Sequence, residues 1–148
     1  MLLALNSGLS VILCIGEAAR DDEGHYLEFL KEQLLAGLQS IPLKFLKNIT
    51  IAYEPIWAIG KGALRGVLPK ELHEMSIYIR KVLVDMYGKN KAYSIRIIYG
   101  GSVDVTNAES LLKEGVVDGF LIGRASLSAT SFRDIILSSK IKPNTVKK

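Results

Sequence analysis

Ile51-Ala52-Tyr53-Glu54-Pro55-Ile56-Trp57-Ala58-Ile59-Gly60 sets out both the architecture and the chemistry of this chain. The run that leads into it, Ile49 to Tyr53, is short, apolar and partly β-branched, and it stops abruptly at a glutamate. Such a run reads as a buried strand of a parallel sheet. A strand ending this way delivers its carboxylate to the mouth of the sheet. Pro55 then stiffens the near end of the loop, Trp57 supplies an anchor, and Gly60 and Gly62 leave the far side free. A carboxylate under a loop with fixed and loose ends suits acid–base chemistry beneath a closing lid.

Working outward, three more runs have the same character: Val11-Ile12-Leu13-Cys14-Ile15, Ile95-Arg96-Ile97-Ile98-Tyr99 and Phe120-Leu121-Ile122. Each ends in small or polar residues. Leu27, Leu30, Leu34, Leu35 and Leu38 then fall on one helical face after the first run. Leu72, Met75, Ile79, Val82, Leu83 and Met86 do so after the second, with Pro69 placed for a first helical turn. After the third, Thr106 and Glu109 form a capping-box pattern ahead of Leu111 and Leu112. Phe132, Ile135 and Ile136 predict a short last helix, and Met1 to Leu5 the end of an earlier one, stopped at Gly8. This alternation predicts an α/β fold with right-handed crossovers and no internal domain boundary.

Composition narrows the classes. With 148 residues, 49% of them hydrophobic and 23% charged, the chain has material for one ordinary core. The net charge of +4 sits partly in the closing stretch, read as a frayed tail over 139–148. No dense basic run with interleaved aromatics points to nucleic acid, and no apolar stretch is long enough to span a membrane. Cys14 is the single cysteine, which excludes an internal disulfide, fits a reducing compartment and reads as a packed, inert thiol. His25 and His73 fall in helical segments and read as solvated.

Every functional signal lies just after an apolar run. Gly16 and Glu17 follow the first, Glu54 the second, Gly100, Gly101 and Ser102 the third, and Gly123 and Arg124 the fourth. Sites at the carboxyl ends of parallel strands are the rule in barrels and in doubly wound sheets. The two late glycine turns offer backbone N–H groups at Ser102, Gly123 and Arg124 for an anion such as phosphate.

Four strings carry a family likeness: Cys14 to Glu17, Ala52 to Gly60, Ile98 to Val103 and Asp118 to Leu127. In this order and spacing the chain resembles the C-terminal part of triosephosphate isomerase. The resemblance implies a partial TIM (β/α)8 barrel, about the last four strand–helix units, as a single C-terminal half-barrel over 1–148. It implies a cytoplasmic enzyme of glycolysis and gluconeogenesis that interconverts dihydroxyacetone phosphate and glyceraldehyde 3-phosphate, without metal or organic cofactor. Glu54 would be the base that moves a proton through an enediolate. Residues 55–65 would form the lid, and Gly60, Ser102, Gly123 and Arg124 would bind the substrate phosphate. Tyr99 and Ser102 would latch the lid, with Glu17 and Trp57 supporting it.

The departures are as informative. A full barrel of this kind takes about 250 residues and eight strands. The family's Asn-x-Lys motif and catalytic histidine belong to its N-terminal half and have no counterpart here. Lys61 stands where a small residue is usual, residues 62–69 are longer than the usual hinge, and Arg124 stands where a second glycine is common. Alone, the chain is expected to be inactive, and its open edges and uncovered inward faces to make it molten or self-associated. A separate N-terminal half would restore the site. The alternative is a non-catalytic relic or a phosphate-binding half-barrel.

Overall fold

A computed structural model describes residues 1–60, 63 and 65–139. The expected frayed tail therefore lies outside the described residues from position 140 onward, as do Lys61, Gly62 and Leu64 of the expected lid. Three strands, β1 (Val11–Ile15), β2 (Ile49–Tyr53) and β3 (Arg96–Tyr99), form a parallel sheet in the order β1-β2-β3. Cys14 pairs with Ala52, and Ala52 with Ile98. The fourth apolar run is not a full strand. It joins β3 through one bridge, Tyr99 to Phe120, flanked by Tyr99 N–H donating to the Gly119 carbonyl and Leu121 N–H donating to the Tyr99 carbonyl. Three apolar residues between Gly119 and Gly123 are too few for a longer ladder.

The helices are α1 (Leu2–Asn6), α2 (His25–Leu38), α3 (Pro69–Tyr87), α4 (Lys89–Ala92), α5 (Ala108–Glu114) and α6 (Ala129–Ser138). Gly8, at φ +82, follows α1 as its stop. Pro69 opens α3, and the Glu71 carboxylate reaches back to accept the Leu68 N–H at 2.7 Å. The capping box expected at Thr106 and Glu109 does not form. Asp104 Oδ1 instead accepts from both the N–H and the hydroxyl of Thr106, at 2.8 and 2.6 Å, so the turn is closed before α5 begins.

Leu30, Leu34 and Leu38 of α2 and Leu72, Met75, Ile79 and Leu83 of α3 are buried in one cluster with Ile51, Tyr53, Ile97 and Tyr99 of the sheet. Full burial of each such aliphatic side chain stabilises the fold by roughly 1.5–3 kcal/mol. The expectation of strands buried on both faces holds for β2 but not for β1, where burial alternates and Ile12 remains 49% exposed. The helices cover one face. Ile12, Thr50 and Arg96, and above them Cys14, Ala52 and Ile98, share the other in register. This is the inward face of a parallel barrel, seen open.

The sheet's upper rim is set by one close approach. Glu54 N–H donates to the Ile15 carbonyl at 2.7 Å, and a Cβ on Gly16 would lie 1.8 Å from the Glu54 carbonyl oxygen. No described residue lies within 4 Å of a Cβ placed on Gly66. Gly16→Ala is therefore expected to cost about 3 kcal/mol or more, since backbone must move to admit a methyl group. Gly66→Ala is expected to stay within about 1 kcal/mol of the parent, on the stable side. Urea unfolding followed by far-UV circular dichroism measures both.

Candidate active site at the carboxyl ends of the strands

Glu54 stands one residue past β2 and continues the alternation that places Thr50 and Ala52 on the open inward face. Gly100 N–H donates to the Tyr53 carbonyl at 2.9 Å, which draws the turn after β3 against Glu54. A Cβ on Gly100 would lie 2.5 Å from Glu54 Cγ and 2.9 Å from its Oε1. Glycine at 100 thus makes room for the carboxylate. On the other side stands Cys14. Its thiol is pushed up to about 11, first by partial desolvation and then by the neighbouring Glu54 carboxylate. A thiol held protonated is not a nucleophile, in line with an inert role. Its expected packed position is corrected, because Cys14 is exposed on the uncovered face.

The residues read as a phosphate site come together. Gly60, Ser102, Gly123 and Arg124 line one cavity of about 370 Å³ with Gly100 and Gly101. The N–H groups of Gly60 and Gly123 donate to no backbone acceptor among the described residues. Gly60 lies at φ +83, a conformation that glycine adopts without strain. Arg124 is not among the positive-φ residues, so its side chain is compatible with this turn. Asp104 also borders the cavity, and its carboxyl is held below the usual range, chiefly by the Thr106 hydroxyl. Two larger hollows, of about 470 and 510 Å³, lie against α3 and contain none of these residues.

Glu17 is 1% exposed. Its Oε1 accepts from Arg20 Nε at 2.9 Å, from the Tyr53 hydroxyl at 2.8 Å and from Trp57 Nε1 at 2.8 Å. Its Oε2 has no hydrogen-bond partner among the described residues. Burial, and then the charge of Glu17, hold the Tyr53 phenol well above its usual range. The expected pairing of Glu17 with Trp57 is thus a direct bond. Tyr99 is buried beneath the turn after β3, and a Cβ on Gly101 would lie 2.2 Å from its hydroxyl oxygen. Burial pushes the Tyr99 phenol up to about 12; the approach of Ser102 and Val67 backbone opposes this without reaching hydrogen-bond geometry.

Sequence reading missed Arg20, Tyr53, Arg65 and Glu71. Arg20 lies 5.0 Å from the Trp57 ring centroid and 5.3 Å from that of Tyr26. Arg65 lies 5.1 Å from the Trp57 centroid and donates to both Glu71 oxygens, at 2.6 and 2.7 Å. The available signals were the Glu17-x-x-Arg20 spacing and Glu71 in the first turn after Pro69.

The triosephosphate isomerase family profile matches residues 1–139. The chain belongs to this family. It is 46% identical over 135 residues to the triosephosphate isomerase of Lawsonia intracellularis, an alignment covering 90% of this chain and 52% of the relative. Its identity to the triosephosphate isomerase of Treponema denticola is 42% over 139 residues, covering 93% and 55%. To that of Mycoplasma pneumoniae it is 44% over 128 residues, covering 86% and 50%. The chain spans about half the length of the curated relatives it matches. Among the described residues no helix is long and apolar enough to cross a membrane. Asp21, Glu23 and His25 bring possible metal-binding atoms within 4.8 Å of one another at the surface, but Asp21 already accepts the His25 and Tyr26 N–H groups.

The Arg65 hydrogen bonds hold the Glu71 carboxyl down at about 2. A depressed carboxyl contributes stability that is present above its unfolded pKa, about 4.3, and is lost as pH falls through the folded value. The urea midpoint is therefore expected to fall between about pH 5 and about pH 2. Asp21 and Asp104 are also held low and share in that fall. The difference between the parent and Glu71→Gln isolates Glu71: it should be largest near neutrality and close as pH drops.

Proposed function

We propose that this chain is the C-terminal half of a triosephosphate isomerase, and that residues 1–148 form one half-barrel carrying the base and the phosphate site. The observation that carries this reading is the double contact of Gly100. It lines the cavity shared by Gly60, Ser102, Gly123 and Arg124, and the space its missing Cβ would take is occupied by the Glu54 side chain. A phosphate held in that cavity brings the carbons of a bound triose toward Glu54. The carboxylate takes a proton from the hydroxyl-bearing carbon beside the carbonyl, leaving an enediolate, and returns it to the former carbonyl carbon, while the hydroxyl proton passes from the first oxygen to the former carbonyl oxygen. The substrate's own carbonyl acidifies that proton, so no cofactor enters the scheme. Glu17 and Trp57 support the lid at 55–65, and Tyr99 and Ser102 latch it. The reaction belongs to the cytoplasm, in keeping with a chain whose single cysteine forms no internal bridge.

The developing negative oxygen needs donors that this half does not supply. The loss of one such donor costs about a hundredfold to a thousandfold in rate. The missing half supplies them and covers Ile12, Cys14 and the free edge of β1. In its absence those surfaces favour self-association of the chain.

The test mixes the purified chain with a separately produced N-terminal half of a relative. Triose phosphate interconversion is expected only in the mixture, and to fall by about a hundredfold to ten-thousandfold in Glu54→Gln. Sedimentation of the chain alone should show self-association that the added half reverses. A folded but inactive mixture, or an unaffected Glu54→Gln variant, contradicts the proposal.

A further inference from the structure

We infer that Arg65 is a positioning residue that fastens the start of the loop at 55–65 to the helix that follows it. This rests on the reading of that loop as the lid over Glu54, but the fastening can be tested without catalysis. Trp57 belongs to the short 3-10 turn Ile56–Ala58 just after Pro55, and it is held from below by Glu17. Arg65 lies at the other end of the loop. Its guanidinium is 5.1 Å from the Trp57 ring centroid, and its two terminal nitrogens meet the two oxygens of Glu71 on α3. Glu71 also caps Leu68 N–H, and its Oε1 lies 3.9 Å from Arg20 Nη1. One carboxylate therefore holds the last residues before α3 and carries the cation that lies against Trp57.

The chemistry is specific to arginine. A planar guanidinium lies against an indole while its edge makes a paired bond to a carboxylate; an ammonium cannot do both. Arg20 is equally close to the same ring, so two cations share one indole, with Glu17 and Glu71 balancing them. Loss of the Glu71 charge would leave Glu17 alone to balance the two cations that lie against Trp57. The fastening therefore depends on charge and, with Arg65 half-exposed, on ionic strength. Its consequence is a lid whose start and end move as one unit.

Trp57 is the single tryptophan of the chain, so its fluorescence reports the surroundings of this one ring, and the Arg65 and Glu71 variants single out the Arg65 contact. Acrylamide quenching is measured on the full chain, on Arg65→Met, Arg65→Lys and Glu71→Gln, between about 0.1 and about 1 M KCl, where the screening length falls from about 10 to about 3 Å. The parent is expected to be quenched more readily as salt rises. Arg65→Met, which lacks the covering guanidinium, and Glu71→Gln, which no longer anchors it, should be about twofold more quenchable at low salt and respond less to added salt than the parent, since only the Arg20–Glu17 pair remains against the ring. Arg65→Lys should fall between. Circular dichroism checks that each variant is folded; if one is not, the salt response of the parent still decides. A flat response in the parent, or an Arg65→Met variant that responds as the parent does, overturns the inference. Absence of isomerase activity in the mixed halves, with the Trp57 response intact, counts against the catalytic reading and not against the fastening.

Discussion

The rest of the mouth is built around a carboxylate taken out of water at Glu17, 1% exposed. A buried charge costs several kcal/mol unless it is paired and hydrogen-bonded. Three donors from three places in the chain meet that demand: Arg20 from the loop after β1, Tyr53 from the end of β2, and Trp57 from the segment after Glu54. These bonds connect β1 to β2 at their carboxyl ends and pin the start of the loop beside Glu54. Because all three converge on Oε1, removal of the carboxylate would release them together. Arg65 and Glu71 extend the arrangement to α3 through the Trp57 ring.

Glycines give the site its closeness for different reasons. Gly16 and Gly100 are required because Glu54 backbone and side chain occupy the space a Cβ would take. Gly101 leaves room for the Tyr99 hydroxyl. Gly60 meets no described residue where a Cβ would stand and is favoured by its positive φ. Substitution at the first three would displace the base or the phosphate turn, whereas substitution at Gly60 would strain the loop itself.

Most of the fold and much of the site were legible because the relevant signals are local. The runs at 11–15 and 49–53 coincide with β1 and β2, Leu30, Leu34 and Leu38 of α2 and Leu72, Met75, Ile79, Val82 and Leu83 of α3 are buried as their spacing implies while Leu27, Leu35 and Met86 are only partly so, and Pro69 opens its helix. Residues after each run, Glu54, Ser102 and Gly123 among them, gather at one end because parallel strands all point there. What escaped reading depends on partners distant in sequence. Thr106 and Glu109 have a capping pattern, but Asp104 takes the Thr106 donors first. Phe120 to Ile122 has strand composition but forms one bridge. Cys14 is apolar in context yet exposed, because no helix among the described residues covers that face. Arg20 and Arg65 belong to no sequence pattern that pairs them, and only folding shows that both lie against Trp57.

The direct test of this account is the indole N–H resonance of Trp57, one signal in a chain with one tryptophan. Bonding to Glu17 predicts a single resonance displaced from the position of free indole and slow to exchange with solvent. In Glu17→Ala it should move to the free position and exchange fast, while the amide signals of β2 and β3 remain. A parent whose Trp57 N–H already sits at the free position and exchanges rapidly would contradict the claim that the buried carboxylate holds the mouth together.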